Sequence, residues 1–302
     1  MNIKFSIVVT TRNRLSDLKI TLDKLHTILD LPQVECLIYD DASEDETVLF
    51  VQNNYPNIKL FQNKKSLGLI HNRNVLLNNS LGKYAISLDD DAHFLSENVL
   101  ETIEKHFENN QKCGVIACRI FWGKEEPTKT KTNHEVERVQ GFVGCGHIWN
   151  LKAWKEIPNY PEWFVFYGEE DFASYQLFKK GWEVHYVPEI LVQHRVEIKE
   201  RKKHEDYFVR FRRSFRSGWY LYIMFYPLTL IPKRMLYTLW VQIKTKVLRG
   251  DLVAFKGLIL AQLDVLINLP KLLRESNRLT HQEFKEYNNL TPTKIYWQPE
   301  NE

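Results

Sequence analysis

The first half of the chain alternates between short apolar runs and longer stretches in which apolar residues recur every three or four positions. Residues 3–10, 34–39, 58–61 and 84–88 are predicted to be buried strands. Between the first two, leucines at positions 15, 18, 22, 25 and 29 share one helical face. Strict alternation with short connections predicts an α/β fold with a mostly parallel sheet and helices on both faces.

The remaining elements are less regular. Ser43 followed by Glu46 is a capping-box pattern that predicts a helix running towards Asn54, and a further helix is expected from about Ser96. Residues 115–121, 182–187 and 190–194 are predicted as extended segments, and Gly181 is expected to end a helix. The charged loop 122–138 and the glycine-containing segment 141–149 are expected to shape a ligand pocket.

Polar residues follow three of the four predicted strands of the first half. Thr11–Arg14, Asp40–Ser43 and Asp89–Asp91 all lie at carboxyl ends, where ligands bind in open α/β sheets. The triplet Asp89, Asp90 and Asp91 places three mutually repelling carboxylates in a row. A hard divalent cation accounts for them, and the alternative is a solvated Asp-rich turn. The convergence of the triplet with the other two polar loops favours a ligand-binding site over a solvated turn.

The charge distribution divides the chain. The net charge is +3, but Asp and Glu outnumber Lys and Arg in residues 1–194, whereas residues 195–302 are basic and rich in aromatic residues. The four cysteines form no CxxC pair and fit reduced thiols, and the N-terminus lacks the apolar region of a signal peptide. We therefore expect a cytoplasmic protein with an acidic body and a basic part that meets an anionic surface.

Six motifs in order along this scaffold resemble the family 2 glycosyltransferases, which are inverting enzymes of the GT-A fold. They are Ser6–Thr10, Asp40–Ser43, Arg73-Asn74, Leu88–Asp91, Glu170-Asp171 and Val192–His194. Each motif alone is weak, and their order makes the resemblance specific. The resemblance covers about residues 3–195 and implies roles for individual residues.

The resemblance implies a nucleotide pocket. Asp41 would accept a hydrogen bond from the ring N–H of uracil or thymine, with Thr10 and Arg12 lining the same pocket. Arg73 would contact the nucleotide or its diphosphate as a fixed cation. The alternatives from the residues themselves are a helix-capping role for Asp41 and a surface helix charge for Arg73.

The resemblance also implies a Mn²⁺ or Mg²⁺ site. Asp91 would bind the ion, while Asp89 would reach the ribose or the ion's water shell, and Asp90 lies between them with the register of the triplet left open. His194 matches a late histidine and would be a further ligand, although a structural histidine is the alternative. The metal would neutralise the diphosphate leaving group.

The predicted general base is Asp171, with Glu170 as a supporting acidic neighbour. A base must take the proton from the acceptor hydroxyl as it attacks the anomeric carbon. The alternative is that residues 169–171 only occupy the first turn of a helix, where acids favour the macrodipole. The implied substrates are a UDP- or dTDP-sugar donor and a glycan or lipid-linked acceptor, in bacterial surface polysaccharide synthesis.

The chain beyond His194 departs from the family pattern. We predict a transferase domain over residues 1–200 and a basic, aromatic helical extension over 201–302 with helices at 235–248 and 252–273. The uncharged run 217–232 is too short to span a bilayer, so peripheral contact with the inner face of the cell membrane is expected. A subdomain packed on the sheet and a homo-oligomer contact are the alternatives. No nucleic-acid-binding motif is recognised, so no nucleic-acid partner is expected.

Two other functions compete with a transferase. A sugar nucleotidyltransferase would favour a Gly-rich phosphate loop near the N-terminus, and Thr10–Leu15 contains no glycine. A non-catalytic sugar- or membrane-binding protein on a degenerate scaffold would have no need for both the Asp triplet and Glu170-Asp171.

Overall fold

In the computed structural model, which describes residues 3–196 and 206–295, one nine-stranded sheet forms the centre of the protein. The strands follow the order β3-β2-β1-β4-β8-β6-β9-β5, and β7 pairs with β9. Their bounds are β1 Phe5–Thr11, β2 Val34–Asp40, β3 Lys59–Gln62, β4 Tyr84–Asp89, β5 Ala92–Phe94, β6 Cys113–Trp122, β7 Glu137–Val139, β8 Gly146–Asn150 and β9 Glu183–His194.

The first four strands are parallel, as the alternating pattern predicts. Their register places Thr10 beside Asp89 and Thr11 beside Asp40. Strand β8 then enters antiparallel between β4 and β6, while β6 and β9 are again parallel, so the sheet is mixed. Because parallel strand ends meet at one edge, the polar loops after β1, β2 and β4 lie side by side.

Helices cover both faces of the sheet. Within β1, Ile7 and Val9 point to the face that α1 and α4 cover, and Val8 points to the face that α3, α5 and α6 cover. The helices are α1 Leu15–Leu29, α2 Thr47–Asn54, α3 Leu69–Asn79, α4 Val99–Asn109, α5 Leu151–Lys155, α6 Glu169–Lys179, α7 Tyr207–Phe225, α8 Ile231–Thr245, α9 Leu252–Arg274 and α10 His281–Asn288.

Two local predictions are wrong. The capping box at Ser43 does not form, because Ser43 Oγ instead accepts from the backbone N–H of Asn13, and α2 begins later, at Thr47. The separate segments predicted at 182–187 and 190–194 form the single strand β9. Residues 188–190 of β9 are skipped in its pairing with β6, which is where Pro188 is accommodated.

The C-terminal helices pack onto the sheet domain. Helix α7 buries Trp219, Tyr220 and Phe225 in the same core as Phe164 and Phe172. Helix α9 lies so close to α7 that a Cβ on Gly257 would be 2.7 Å from the ring of Phe211. The predicted boundary between residues 200 and 201 lies outside the described residues.

The last described segment returns to the edge of the sheet. Thr291 bridges to Val139, and the backbone N–H of Gln140 donates to the Thr291 carbonyl at 2.8 Å. The Tyr287 hydroxyl donates to the Gln140 carbonyl. Contacts of this kind match the alternative of a helical subdomain packed on the sheet domain.

Among the described residues, α9 alone combines the length and apolar composition needed to cross a membrane. A third of its most apolar window is buried, and its Asp264 accepts from Arg212 Nε at 2.7 Å. Helix α9 is therefore also packed against α7, as a helix within a protein core would be.

Candidate active site

The carboxyl ends of β1, β2, β4 and β9 open into one cavity of about 910 Å³. Its lining includes nine of the ten predicted site residues, which are Thr10, Arg12, Asp41, Arg73, Asp89, Asp90, Asp91, Glu170 and His194. The tenth, Asp171, is not part of the lining. The structure thus gathers residues that are up to 184 positions apart in the sequence.

Asp89, Asp91 and His194 form a group suited to a divalent ion. One ligand atom from each lies within 4.8 Å of the others, and His194 Nε2 is 3.0 Å from an Asp91 oxygen. The antiparallel pairing of β5 with β9 sets His194 opposite Ala92, next to the triplet. His194 Nδ1 is buried and has no hydrogen-bond partner in residues 3–196 and 206–295. Carboxylate and imidazole donors with an unsatisfied nitrogen fit Mn²⁺ or Mg²⁺.

Arg14 is a site residue that the sequence patterns did not single out. Its Nη2 lies 2.6 Å from Asp91 Oδ2 and its Nε lies 3.4 Å from Asp90 Oδ1. Burial alone would raise the pKa of Asp91, but His194 and Arg14 outweigh it and hold the pKa at about 2. Only its loop position after β1 could have pointed to Arg14.

Asp90 has a different environment from its neighbours. It accepts a hydrogen bond from Thr11 Oγ1 at 2.9 Å, and its backbone carbonyl accepts from Thr21 Oγ1. Burial, against the opposing charge of Arg14, raises the pKa of Asp90 to about 7. Thr11 and Arg14 thus hold the side chain of Asp90, which is not a member of the Asp89–Asp91–His194 group.

Arg73 is the centre of a buried acidic cluster. Its Nη2 lies 2.7 Å from Asp89 Oδ1, and its Nη1 lies 3.4 Å from one oxygen each of Glu169 and Glu170. The side chain of Arg73 is only 4% exposed, so the alternative of a surface helix charge is wrong. Burial and the charge of Glu170 raise the pKa of Glu169 to about 8, and burial and the charge of Asp89 raise the pKa of Glu170. One cation therefore holds three carboxylates.

Gly144 allows this cluster to form. Arg73 Nη2 donates to the Gly144 carbonyl at 2.9 Å. A Cβ on Gly144 would lie 2.0 Å from Glu170 Oε1 and 3.0 Å from Arg73 Nη1. Close approach of the backbone thus places Glu170 against Arg73 inside the cavity, which Val143 and Cys145 also line.

Asp171 does not line this cavity. Its side chain is solvent-exposed, and a Cβ on Gly141 would lie 3.8 Å from its Oδ1 and 2.8 Å from Thr293 Oγ1. Crowding by protein atoms and the charge of Glu170 raise the pKa of Asp171 to about 6, a shift that solvent screening limits. Because successive helical residues are rotated by about 100°, Glu170 and Asp171 at the start of α6 face different surroundings.

Asp41 is fully engaged by the protein. Its two oxygens accept from Asn63 Nδ2, Ser66 Oγ and the backbone N–H groups of Leu67 and Gly68, at 2.6–3.0 Å. Burial opposes ionisation, but these donors outweigh it and hold the pKa of Asp41 at about 2. Asp41 therefore fixes the loop that leads into α3, rather than capping α2 as the alternative held.

A mixed sheet with a carboxylate–imidazole group and a second acidic cluster at its strand ends is typical of enzymes that act on phosphate-bearing substrates with a divalent ion. The chain belongs to glycosyl transferase family 2, whose model matches residues 6–178. Its fold is the GT-A fold of glycosyltransferases. No curated protein matches the sequence.

Three solved structures show the similarity of fold at low sequence identity. GalNAc-T7 with UDP, GalNAc and Mn²⁺ has a TM-score of 0.59 and 17% identity, covering 74% of this chain and 48% of that one. Staphylococcus aureus TarS 1–349 with UDP-GlcNAc gives 0.53 and 18%, covering 72% and 67%. The mannosyltransferase PcManGT from Pyrobaculum calidifontis, with GDP-Man and Mn²⁺, gives 0.56 and 15%, covering 95% and 84%. The chain thus spans about half the length of the GalNAc-T7 structure.

Proposed function

We propose that this transferase moves a sugar from a UDP- or dTDP-sugar to a hydroxyl group of a glycan or lipid-linked acceptor, with inversion at the anomeric carbon. The observation that carries the proposal is the shared cavity. It joins the Asp89–Asp91–His194 group to the Arg73–Glu170 cluster and to the loops after β1 and β2. The donors named for GalNAc-T7 and TarS support a uridine nucleotide.

The nucleoside would lie against Thr10, Arg12 and the loop that Asp41 fixes. Four donors already occupy the Asp41 carboxylate, which has about four acceptor positions. In this proposal Asp41 therefore shapes the pocket mainly by holding residues 63–68. Arg12 is exposed on the β1 loop and lines the cavity, so its guanidinium would meet the donor's negative charge.

Asp89, Asp91 and His194 would hold a Mn²⁺ or Mg²⁺ ion. When bound, such an ion supplies Lewis-acid stabilisation of the diphosphate leaving group. Arg14 keeps Asp91 ionised and oriented, since its guanidinium lies 2.6 Å from the carboxylate. Arg73 keeps Asp89 in place in the same way, at 2.7 Å.

Glu170, in place of Asp171, is proposed as the general base. Its carboxylate lines the cavity, Arg73 fixes one of its oxygens, and its raised pKa makes it a stronger base than an ordinary glutamate. Glu170 takes the acceptor's hydroxyl proton as that oxygen attacks the anomeric carbon and the bond to the diphosphate breaks. Asp171 does not line the cavity, and its Oδ1 lies near Gly141 instead.

The decisive experiment is a screen of nucleotide sugars with and without Mn²⁺. We expect a rise in melting temperature and metal-dependent release of UDP or dTDP with one donor. Release of pyrophosphate from a nucleoside triphosphate and a sugar phosphate would instead identify a nucleotidyltransferase. Binding without any turnover, with a range of acceptors, would identify a non-catalytic protein.

We further infer that helices α8 and α9 contact the anionic inner face of the cell membrane. Apolar side chains stand exposed on both helices, including Leu236, Trp240, Leu266 and Ile267 at 55–76% exposure. On α9 they recur at helical spacing, opposite the buried positions that contact α7. This arrangement would bring the site to a lipid-linked acceptor, as surface polysaccharide synthesis in bacteria requires.

The charges of this region favour an anionic lipid surface over a protein partner of mixed charge. Lys233, Arg234, Lys244, Arg249 and Lys256 are exposed, whereas the two acids of residues 231–274, Asp251 and Asp264, are engaged by Tyr207, Ala254 and Arg212. Aromatic and basic residues together are the composition of an interfacial helix.

Liposome flotation tests this contact. Folded full-length protein should float with anionic vesicles and not with neutral ones, and Trp240→Glu should weaken flotation. Leu49→Glu is the matched control, because Leu49 is 61% exposed on α2, far from the basic helices in sequence. Equal flotation of all three proteins, or none by the wild type, would contradict the membrane assignment.

A further inference from the structure

A second cluster of metal-ligating side chains lies at the opposite end of β6 and β9 from the active site. His106 comes from the last turn of α4, Cys113 begins β6, and His185 lies near the start of β9. All three are buried, and one ligand atom of each lies within 4.8 Å of the others. His185 pairs with Ile116 and His194 pairs with Trp122, six residues further along β6, so the two histidines are separated by roughly 20 Å at ~3.3 Å per residue.

The spacing of the two ring nitrogens is close to that in a tetrahedral zinc site, and the Cys113 Sγ lies within 4.8 Å of both. Bond lengths of ~2.0–2.1 Å to nitrogen and ~2.3 Å to sulfur place neighbouring ligand atoms roughly 3.3–3.6 Å apart. His106 Nε2 and His185 Nδ1 are already 3.1 Å apart. The ring nitrogens therefore need to separate by only a few tenths of an ångström to share an ion.

Glu183 prepares His185 for ligation. Its Oε2 lies 2.9 Å from His185 Nε2, so that nitrogen carries the hydrogen and donates it to the carboxylate. The lone pair of His185 Nδ1 then points at the cluster. Carboxylate support of this kind is the usual partner of a metal-bound histidine.

The backbone also favours the site. The register between β6 and β9 shifts between Cys113 and Val115, an irregularity of the kind that re-aims side chains. His106 lines a cavity of about 430 Å³ that Glu101, Lys105 and Glu189 also border. This cavity is the route by which an ion and a fourth ligand, a water molecule, would reach His106.

We propose that His106, Cys113 and His185 bind one zinc-like divalent ion, which ties α4 to strands β6 and β9 independently of catalysis. A thiolate with two imidazoles selects zinc over the Mn²⁺ or Mg²⁺ of the carboxylate-rich active site. Binding releases the Cys113 thiol proton to solvent and moves the His106 proton from Nε2, where it is donated to His185 Nδ1, to Nδ1, so that Nε2 can bind the ion.

Cobalt(II) is the probe that separates the two sites. Full-length protein is stripped with a chelator under reducing conditions and titrated with Co²⁺. We expect one equivalent to give a thiolate-to-cobalt charge-transfer band in the wild type and in Asp91→Asn, which lacks an active-site ligand. The band should be lost in Cys113→Ser and in His106→Gln, and Zn²⁺ should raise the melting temperature of the wild type and Asp91→Asn but not of Cys113→Ser or His106→Gln.

Cys36→Ser is the matched control, because Cys36 is another buried free thiol, on β2. It should keep both the band and the Zn²⁺ response. Absence of a band in the folded wild type, or a band that survives Cys113→Ser or His106→Gln, would overturn the proposal. The proposed transferase activity needs only the active site. A failed transferase assay would therefore not change what the cobalt titration shows about His106, Cys113 and His185.

Discussion

Removing the charge of Glu170 or of Asp171, in separate variants, is the most direct test of which residue is the general base. Glu170→Gln keeps the shape of the side chain but cannot accept a proton. A general base typically contributes about 10²- to 10⁴-fold to the rate, or ~2.7–5.5 kcal/mol of barrier. We therefore expect kcat to fall at least about 100-fold in Glu170→Gln, and by less than about threefold in Asp171→Asn, the matched neighbour.

The structure also predicts that Glu170→Gln remains folded. Arg73 retains Asp89 at 2.7 Å and Glu169 at 3.4 Å, so its guanidinium stays paired. Removing one of three carboxylates around a single cation relieves repulsion, which is the second cause of the raised pKa of Glu169. The melting temperature should be unchanged or slightly higher, so a lost rate cannot be attributed to unfolding.

The assay is initial-rate release of nucleotide at saturating donor, with nucleotide binding measured in parallel by thermal shift. Both variants should bind nucleotide as the wild type does. A wild-type rate in Glu170→Gln together with an inactive Asp171→Asn would show that the cavity geometry misidentifies the base and that the sequence-based assignment of Asp171 holds.

Three further predictions concern the surrounding residues. Gly144→Ala should lower kcat several-fold with little loss of melting temperature, because the new Cβ would displace the flexible end of Glu170 rather than backbone, and an unchanged kcat would contradict the close approach. Asp91→Asn should abolish both Mn²⁺-dependent turnover and the Mn²⁺-dependent thermal shift, while the mutation of nearby Asp17 to Asn, which leaves the predicted ligands intact, should keep the shift. Asp41→Asn should destabilise the protein near neutral pH. Because folding lowers the pKa of Asp41 from its ordinary value near 3.8 to about 2, the stabilisation by its carboxylate is fully present above pH 3.8 and is lost as the pH falls through 2. The difference between variant and wild type in unfolding free energy should therefore shrink from about pH 4 to pH 2, and a constant difference would exclude this linkage.

The sequence identifies the first half of the fold well because local and global preferences agree there. In β1, apolar residues alternate between two cores, and the leucines of α1 lie on one stripe. The predicted convergence of the loops after β1, β2 and β4 is confirmed, since parallel neighbours bring their carboxyl ends together. The antiparallel entry of β8 has no such pattern, because a short strand buried on both faces shows no periodicity.

Within the site, the sequence finds the carboxylates but not their orientation. Residues 172–177 of α6 are buried all round the helix, so no apolar stripe reveals which of Glu169, Glu170 and Asp171 faces the cavity. Which of these side chains faces the cavity depends on the residue at which the helix starts, and Gly168, with a φ of 89°, sets that start. Arg14 and Gly144 were missed for a related reason, since their importance lies in partners distant in the sequence.

The return of the chain end to the sheet edge has a practical consequence for dissecting this protein. A fragment ending near residue 200 would expose the apolar surface against which Tyr220 and Phe225 pack, and would leave Val139 without the strand-like partner that Thr291 provides. Such a fragment includes the whole region that matches the family, yet it would be prone to aggregation. Expression and crystallisation are therefore better served by keeping the chain through Ile295 and altering the exposed faces of α8 and α9 instead.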